Sequence, residues 1–196
     1  YGLQPQFCSR MMQPIQEFYP LLQASPAKVI ITTHQKPDGD AMGSSLALMH
    51  FLKKLGHDAT VVSPTNWAGF LNWMPGVKTV VDFELKRAAA ELLVQDADWI
   101  FCLDFNNLPR TKHMEGSIAK SKAVKVLIDH HQEPQVEAFT YGISVPQKSS
   151  TCEMVYDFIV DSGHKDLVDV TIAECLYTGV MTDTGSFRFP ITSGAV

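Results

Sequence analysis

The sequence predicts an α/β protein built on a mostly parallel five-stranded sheet flanked by helices. Short, almost wholly apolar runs (KVIITT, DWIFCL, VKVLI) alternate with longer stretches of helical periodicity. Such continuous apolar runs mark strands buried on both faces, as in parallel sheets. With 196 residues, 45% of them hydrophobic and 19% charged, the chain has the composition of a globular protein and the length for one large domain. Finally, acidic and histidine-bearing segments follow directly after the apolar runs, where parallel sheets put their sites.

The elements follow in chain order. Residues 9–24 read as an amphipathic helix within a helical extension covering residues 1–27. Residues 28–33 form the first buried strand, residues 41–55 a helix stopped by Gly56, and residues 59–63 a second strand. Residues 66–74 carry Trp67, Phe70, Leu71 and Trp73 at helical spacing, closed by Pro75 and Gly76. Core packing is the preferred reading of those aromatics over a base-stacking platform, because helical spacing is more often a core signature. Residues 84–94 read as a helix, 98–103 as a strand, 111–121 as a helix, 124–128 as a strand and 139–145 as an edge strand. Residues 151–161 and 170–182 read as the closing helices. The chain has no internal repeat and no low-complexity segment.

Charge and composition exclude several functions. The net charge is −5 and the basic residues are scattered, which disfavours a grip on long duplex nucleic acid. No apolar stretch approaches membrane-spanning length, so no membrane partner is expected. The four cysteines form no C-x-x-C pair, and Cys102, Cys152 and Cys175 lie in apolar segments. Buried free thiols in a reducing compartment, hence a cytoplasmic protein, are the expectation. The N-terminal residues lack a secretory pattern, with Pro14 and Pro20 interrupting them.

The chemistry gathers in four places. His34, Asp38 and Asp40 share one strand-to-helix turn, shaped by Pro37 and Gly39. Asp38 and Asp40 are two apart and point different ways in an extended turn, so each can serve a different cation. Asp40 alone would read as a helix cap, but beside His34 and Asp38 the ligand reading is preferred. Asp104 ends an apolar strand, where an acid is costly unless paired or ligated. Asp129, His130 and His131 repeat the pattern: one imidazole can ligate, the other can meet substrate, and the acid can orient a ring. Asp183, in the run MTDTGSF, reads equally as a ligand or as a turn-forming acid before glycine. Oxygen-rich clusters with imidazole suit two hard divalent cations acting on a phosphate ester.

The order H-x-x-x-D-x-D at 34–40, a strand-end Asp104, D-H-H at 129–131 and Asp183 within T-D-T-G resembles the DHH phosphoesterase superfamily over about residues 28–190. The stretches THQKPDGDAMGS (33–44), LDFNNLPR (103–110), STCEM (150–154) and YTGVMTDTGSFRF (177–189) look most like its nanoRNase/pAp-phosphatase and cyclic dinucleotide phosphodiesterase branch. The RecJ exonuclease branch fits the first motif less well. The resemblance implies that residues 28–190 form the DHH catalytic domain. It implies His34, Asp38 and Asp104 on one metal, and Asp40, Asp104, His130 and Asp183 on the second, with Asp104 bridging. His131 would face the scissile phosphate, Asp129 would support the histidines and Arg110 would contact substrate, which makes His131, Asp129 and Asp104 the catalytic group.

The expected cofactor is two Mn²⁺, with Mg²⁺ or Co²⁺ as alternatives, because His34 and His130 are the only nitrogen ligands in an oxygen-dominated set. The expected reaction is hydrolysis of short nucleotides: oligoribonucleotides of a few residues, pAp, or linear or cyclic dinucleotides. Inorganic pyrophosphatase or exopolyphosphatase activity is the first rival, and a non-catalytic nucleotide-binding module the second. A homodimer is compatible with the resemblance. The family's smaller C-terminal lobe carries a glycine-rich, histidine-containing motif that grips the nucleotide. No such segment occurs up to Val196, so that lobe is expected to be absent, with residues 191–196 as the start of a linker or a truncated connection.

Overall fold

Apolar residues in the strands alternate between two cores, and that alternation sets the layers. The computed structural model describes residues 11–190. Cys8, the first residues of the expected N-terminal helix and the expected linker at 191–196 lie outside the described residues. The strands are β1 (Gln13–Pro14), β2 (Lys28–Thr32), β3 (Asp58–Ser63), β4 (Val81–Asp82), β5 (Trp99–Leu103), β6 (Val124–Asp129) and β7 (Tyr141–Ser144). The helices are α1 (Gly39–Lys54), α2 (Arg87–Asp96), α3 (Glu115–Lys120), α4 (Thr151–Asp161) and α5 (Val170–Asp183).

Among the described residues these strands form one seven-stranded sheet in the order β1-β7-β6-β5-β2-β3-β4, and every pairing is parallel. The sequence predicts five of them. The two additions, β1 and β4, are two-residue edge strands, too short to show any periodicity.

On one face Val29, Ile31, Phe101, Leu103, Val126 and Ile128 pack with Met42 and Leu46 of α1, Val155 and Phe158 of α4 and Ile172 of α5. On the other, Ile30, Ile100, Cys102 and Leu127 pack with Ala90 and Val94 of α2 and Ile118 of α3. Each fully buried aliphatic side chain contributes roughly 1.5–3 kcal/mol. α1 packs on the sheet through β3 and is covered by α4 and α5, which is why it is buried nearly all round.

The connections diverge at the centre of the sheet. The chain leaves β2 through α1 to reach β3 on one side, while β5 pairs on the other side of β2. In open α/β sheets a crevice forms at such a divergence, outside the carboxyl ends of the strands.

Several local expectations are corrected. The N-terminal segment is a 3₁₀ helix, Ile15–Gln23, with Pro20 inside it removing a backbone donor. Its Ile15, Phe18 and Leu22 are buried, and Phe18 meets Trp99 and Phe101 edge-on. The helix expected at 111–121 is split into a 3₁₀ segment, Leu108–Met114, and α3, with Lys112 at φ 50° between helical residues. Residues 66–74 form only a single 3₁₀ turn, Gly69–Leu71. Leu71 is buried, but Phe70 and Trp73 are 67% and 60% exposed, so the core-packing reading fails for those two rings. Ala68-Gly69 and Pro75-Gly76 keep the segment too short to turn one full face inward. Cys102, Cys152 and Cys175 are buried free thiols, and burial pushes Cys102 and Cys175 up to about 12. No described helix is long and apolar enough to cross a membrane.

Candidate active site

The loop after β2 supplies the first group of side chains. Asp38 is the N-cap of α1: its Oδ1 accepts the N–H groups of Asp40 and Ala41, each at 3.0 Å. That leaves Oδ2 free to face His34 Nε2 at 4.0 Å. His34 Nδ1 donates to the Gln35 carbonyl at 2.8 Å, which turns Nε2 toward Asp104 Oδ2 at 3.4 Å. Asp40 therefore does not cap its own helix. It sits in the first turn of α1 and reaches the N-terminus of α4, accepting the N–H groups of Thr151 at 2.6 Å and Cys152 at 2.9 Å. Two backbone donors at a helix N-terminus are a favourable setting for a buried carboxylate.

Asp104 follows β5 with φ 64°, a left-handed conformation that costs a non-glycine residue of order 1 kcal/mol or more. Its Oδ1 accepts from Thr151 Oγ1 at 3.0 Å and stands 3.5 Å from His130 Nε2. His130 Nδ1 donates to the Lys148 carbonyl at 3.2 Å. Its Nε2 is thereby aimed at three acids: Asp104, Asp183 at 3.5 Å and Asp40 at 3.9 Å. Asp183 is the last residue of α5 rather than part of the following turn. His131 is oriented differently. Its Nδ1 donates to Asp129 Oδ1 at 2.7 Å, and the ring is partly open to solvent. Asp129, the last residue of β6, is fully buried, and its Oδ2 has no partner among the described residues.

Three groups of side chains thus bring one donor atom each to within 4.8 Å of one another: His34, Asp38 and Asp104; Asp40, His130 and Asp183; and Asp104, His130 and His131. Asp104 lies between the first group and the others. Its two oxygens point opposite ways, Oδ2 toward His34 and Oδ1 toward His130.

The electrostatics follow from that crowding. Burial, with repulsion from Asp104 and Asp183, pushes the Asp40 carboxyl well above the usual range despite its two N–H donors. Burial also works against a charged Asp104, but His130 and His34 outweigh it and hold that carboxyl well below the usual range. Burial disfavours a charged His130, yet Asp104, Asp40 and Asp183 overcome it and raise the ring to about 9. Asp183 is pushed up to about 6 by burial, with His130 pulling against it and Asp104 and Asp38 adding to it. Buried acids are balanced here by imidazolium charge, a balance that divalent cations would take over. The hard oxygen donors, the two Nε2 atoms directed by backbone carbonyls and the acids in excess of imidazoles fit Mn²⁺ or Mg²⁺.

The structure brings His34, Asp38, Asp40, Asp104, His130 and Asp183 together, with His131 at the rim and Asp129 beneath it. Arg110 is half-buried, and its carbonyl accepts the Gln35 N–H at 2.8 Å, tying its segment to the His34 loop. Its guanidinium makes no hydrogen bond or ion pair among the described residues. Two features escape the sequence reading. Thr151 holds Asp40 through its N–H and Asp104 through its hydroxyl. Gly43 and Gly179 let α1, α4 and α5 meet: a Cβ on Gly43 would lie 2.5 Å from the Cys175 carbonyl, and one on Gly179 would lie 2.7 Å from Asp40 Oδ1. Only the S-x-x-E start of α4, a helix-capping pattern, was there to be read.

Residues 28–180 match the family model described as DHH family, N-terminal domain. The chain is 33% identical over 183 residues to the bifunctional oligoribonuclease and PAP phosphatase NrnA of Thermus thermophilus, covering 90% of this chain and 49% of that protein. It is 27% identical to a Streptococcus mutans protein named "Probable manganese-dependent inorganic pyrophosphatase", over 85% of this chain and 51% of that one. Among solved structures, an exopolyphosphatase-related protein from Bacteroides fragilis superposes with a TM-score of 0.88 at 38% identity, over 92% of this chain and 53% of that chain. The chain spans about half the length of the curated relatives it matches.

Proposed function

The chain belongs to the DHH family, and from that premise we propose that it carries the catalytic centre of a divalent-metal phosphoesterase acting on short nucleotides. The observation that carries this reading is Asp104, set where the chain path diverges, with one oxygen turned to each of two donor groups. His34, Asp38 and Asp104 would hold one cation, and Asp40, Asp104, His130 and Asp183 the other. When bound, such a pair supplies an activated water and stabilises charge on the phosphoryl oxygens.

The chain's own residues do the positioning. Gln35 and Lys148 carbonyls fix the ring orientation of His34 and His130. Asp129 holds His131 Nδ1, so its Nε2 is the atom available to donate to a phosphoryl oxygen at the rim. Thr151 keeps Asp40 and Asp104 in register. Short nucleotides are favoured as substrates by the likeness to the oligoribonuclease and PAP phosphatase.

Inorganic pyrophosphate or polyphosphate is the second reading, favoured by the likenesses to the pyrophosphatase and the exopolyphosphatase-related protein. A panel of di- to pentaribonucleotides, pAp, cyclic di-AMP and pyrophosphate, incubated with Mn²⁺ and compared with Asp104→Ala, separates the two. Nucleotide turnover that Asp104→Ala abolishes is the expected result. Turnover of pyrophosphate alone would reject the first reading.

A further inference from the structure

Beside Asp38, a pocket of about 400 Å³ is lined by Lys36, Pro37, Asp38, Asn66, Trp67 and Phe70. That volume lies in the range usual for small-molecule sites, roughly 300–1,000 Å³. The pocket shares Asp38 with the cation donors but is otherwise made by the segment after β3.

Its walls have the properties of a binding surface. Phe70 presents most of its ring to solvent instead of to the core. The half-buried Trp67 is seated, since its ring packs on the core and its Nε1 donates to Asn72 Oδ1 at 3.0 Å. A held aromatic face loses little entropy when a flat ligand stacks on it. The Lys36 ammonium and the Asn66 amide make no hydrogen bond or ion pair among the described residues, so both are available to a ligand. The pocket is also fastened to the cation loop, because the Lys36 N–H donates to Thr65 Oγ1 at 2.7 Å, with Lys36 at φ 50°.

We propose that this pocket is a nucleobase subsite. The base stacks against Trp67 and Phe70, the Asn66 amide meets its polar edge, and Lys36 and the His34–Asp38 loop receive the attached phosphate. The proposal rests on the phosphoesterase reading above and deepens it. Stacking tolerates every base, so the subsite confers a requirement for a nucleoside rather than a sequence preference. Inorganic pyrophosphate would gain nothing from the stacking surface.

The test is a fluorescence titration of the whole chain, with and without Mn²⁺, using AMP and ribose 5-phosphate as probes. Trp73→Phe serves as the background, since Trp73 does not line the pocket and would otherwise add its own signal. AMP is expected to quench Trp67 saturably and to bind at least about ten-fold more tightly than ribose 5-phosphate, as base–aromatic stacking of ordinary strength requires. Phe70→Ala, at an exposed ring that folding does not need, is expected to remove most of that ten-fold preference. Trp67→Leu, which lacks the fluorescent reporter and is read by calorimetric titration with circular dichroism confirming its fold, is expected to do the same. Equal affinity for AMP and ribose 5-phosphate, or a preference that survives Phe70→Ala, would overturn the subsite even if oligoribonucleotides are hydrolysed. If no nucleotide is hydrolysed, the phosphoesterase reading fails on its own, and Phe70-dependent AMP binding would still support the subsite.

Discussion

Asp104 combines a left-handed backbone with a buried carboxylate touched by two imidazoles and a hydroxyl. An acid at the end of an apolar strand announces itself in the sequence, because burial without a partner is too costly to be incidental. Thr151 does not announce itself. Its contacts reach Asp104 and Asp40 across 47 and 111 positions, and nothing local in STCEM encodes that distance. Replacing Thr151 with Val removes the hydroxyl donor while keeping shape and backbone. Manganese affinity is expected to fall about 10–100-fold, the usual effect of removing a group that orients a ligand. Calorimetric titration checks it, and an unchanged Kd would show that Asp104 needs no such support. The exposure of Phe70 and Trp73 was hidden for a related reason: spacing identifies a face but not what lies opposite it.

At the scale of elements, the site depends on α1, α4 and α5 crossing closely. Gly179 faces Asp40 and the Cys152 thiol, so a methyl group there meets a buried carboxylate and a neighbouring helix. Gly179→Ala gains about 1 kcal/mol of helix propensity, but overpacking typically costs about 1–3 kcal/mol. Because Asp40 is pinned by two backbone donors, the clash is expected to win. The melting temperature and the manganese affinity should both drop, and an unaltered melt would mean that the helices can spread freely.

The start of α4 makes a separate pH prediction. Burial raises the Glu153 carboxyl, but the Ser149 hydroxyl and N–H and the Lys148 ammonium outweigh it and hold the carboxyl below its ordinary range near 4.5. A lowered folded-state value means stability fully present above pH 4.5 and lost as pH falls through the folded value. Urea titrations of wild type and Glu153→Gln should therefore differ most above pH 4.5 and converge in more acidic solution. A gap that does not change with pH would contradict that origin. The helix over 151–161 was legible from its sequence, whereas the two-residue β1 and β4 were too short to read.

For the whole molecule, the parallel sheet and the divergence at β2 and β5 bring segments far apart in sequence to one edge. The five longer strands and the gathering of His34, Asp38, Asp40, Asp104 and His130 could be read because their polar groups follow apolar runs, whereas Asp183, at the end of α5, read equally as a turn former and joined the set only through the family resemblance. The D-H-H run alone did not say which imidazole would turn to the other acids, and the pocket beside Asp38 was not legible at all, since it depends on how the segment after β3 folds back. Cations that bind only the folded chain stabilise it by mass action. Manganese at one hundred times its Kd contributes about 2.7 kcal/mol, which for a chain of this length raises the melting temperature by roughly 5–11 °C. A chelator should reverse the shift, and a melt indifferent to manganese would argue against a cation site.

The central claim is that Asp104 is shared by two cation sites. Equilibrium dialysis with Mn²⁺ counts the ions bound per chain directly, in wild type and in Asp104→Asn. The account predicts two ions in wild type and weakened binding of both in the variant. A single ion in wild type, or a count and affinity unchanged by Asp104→Asn, would contradict it.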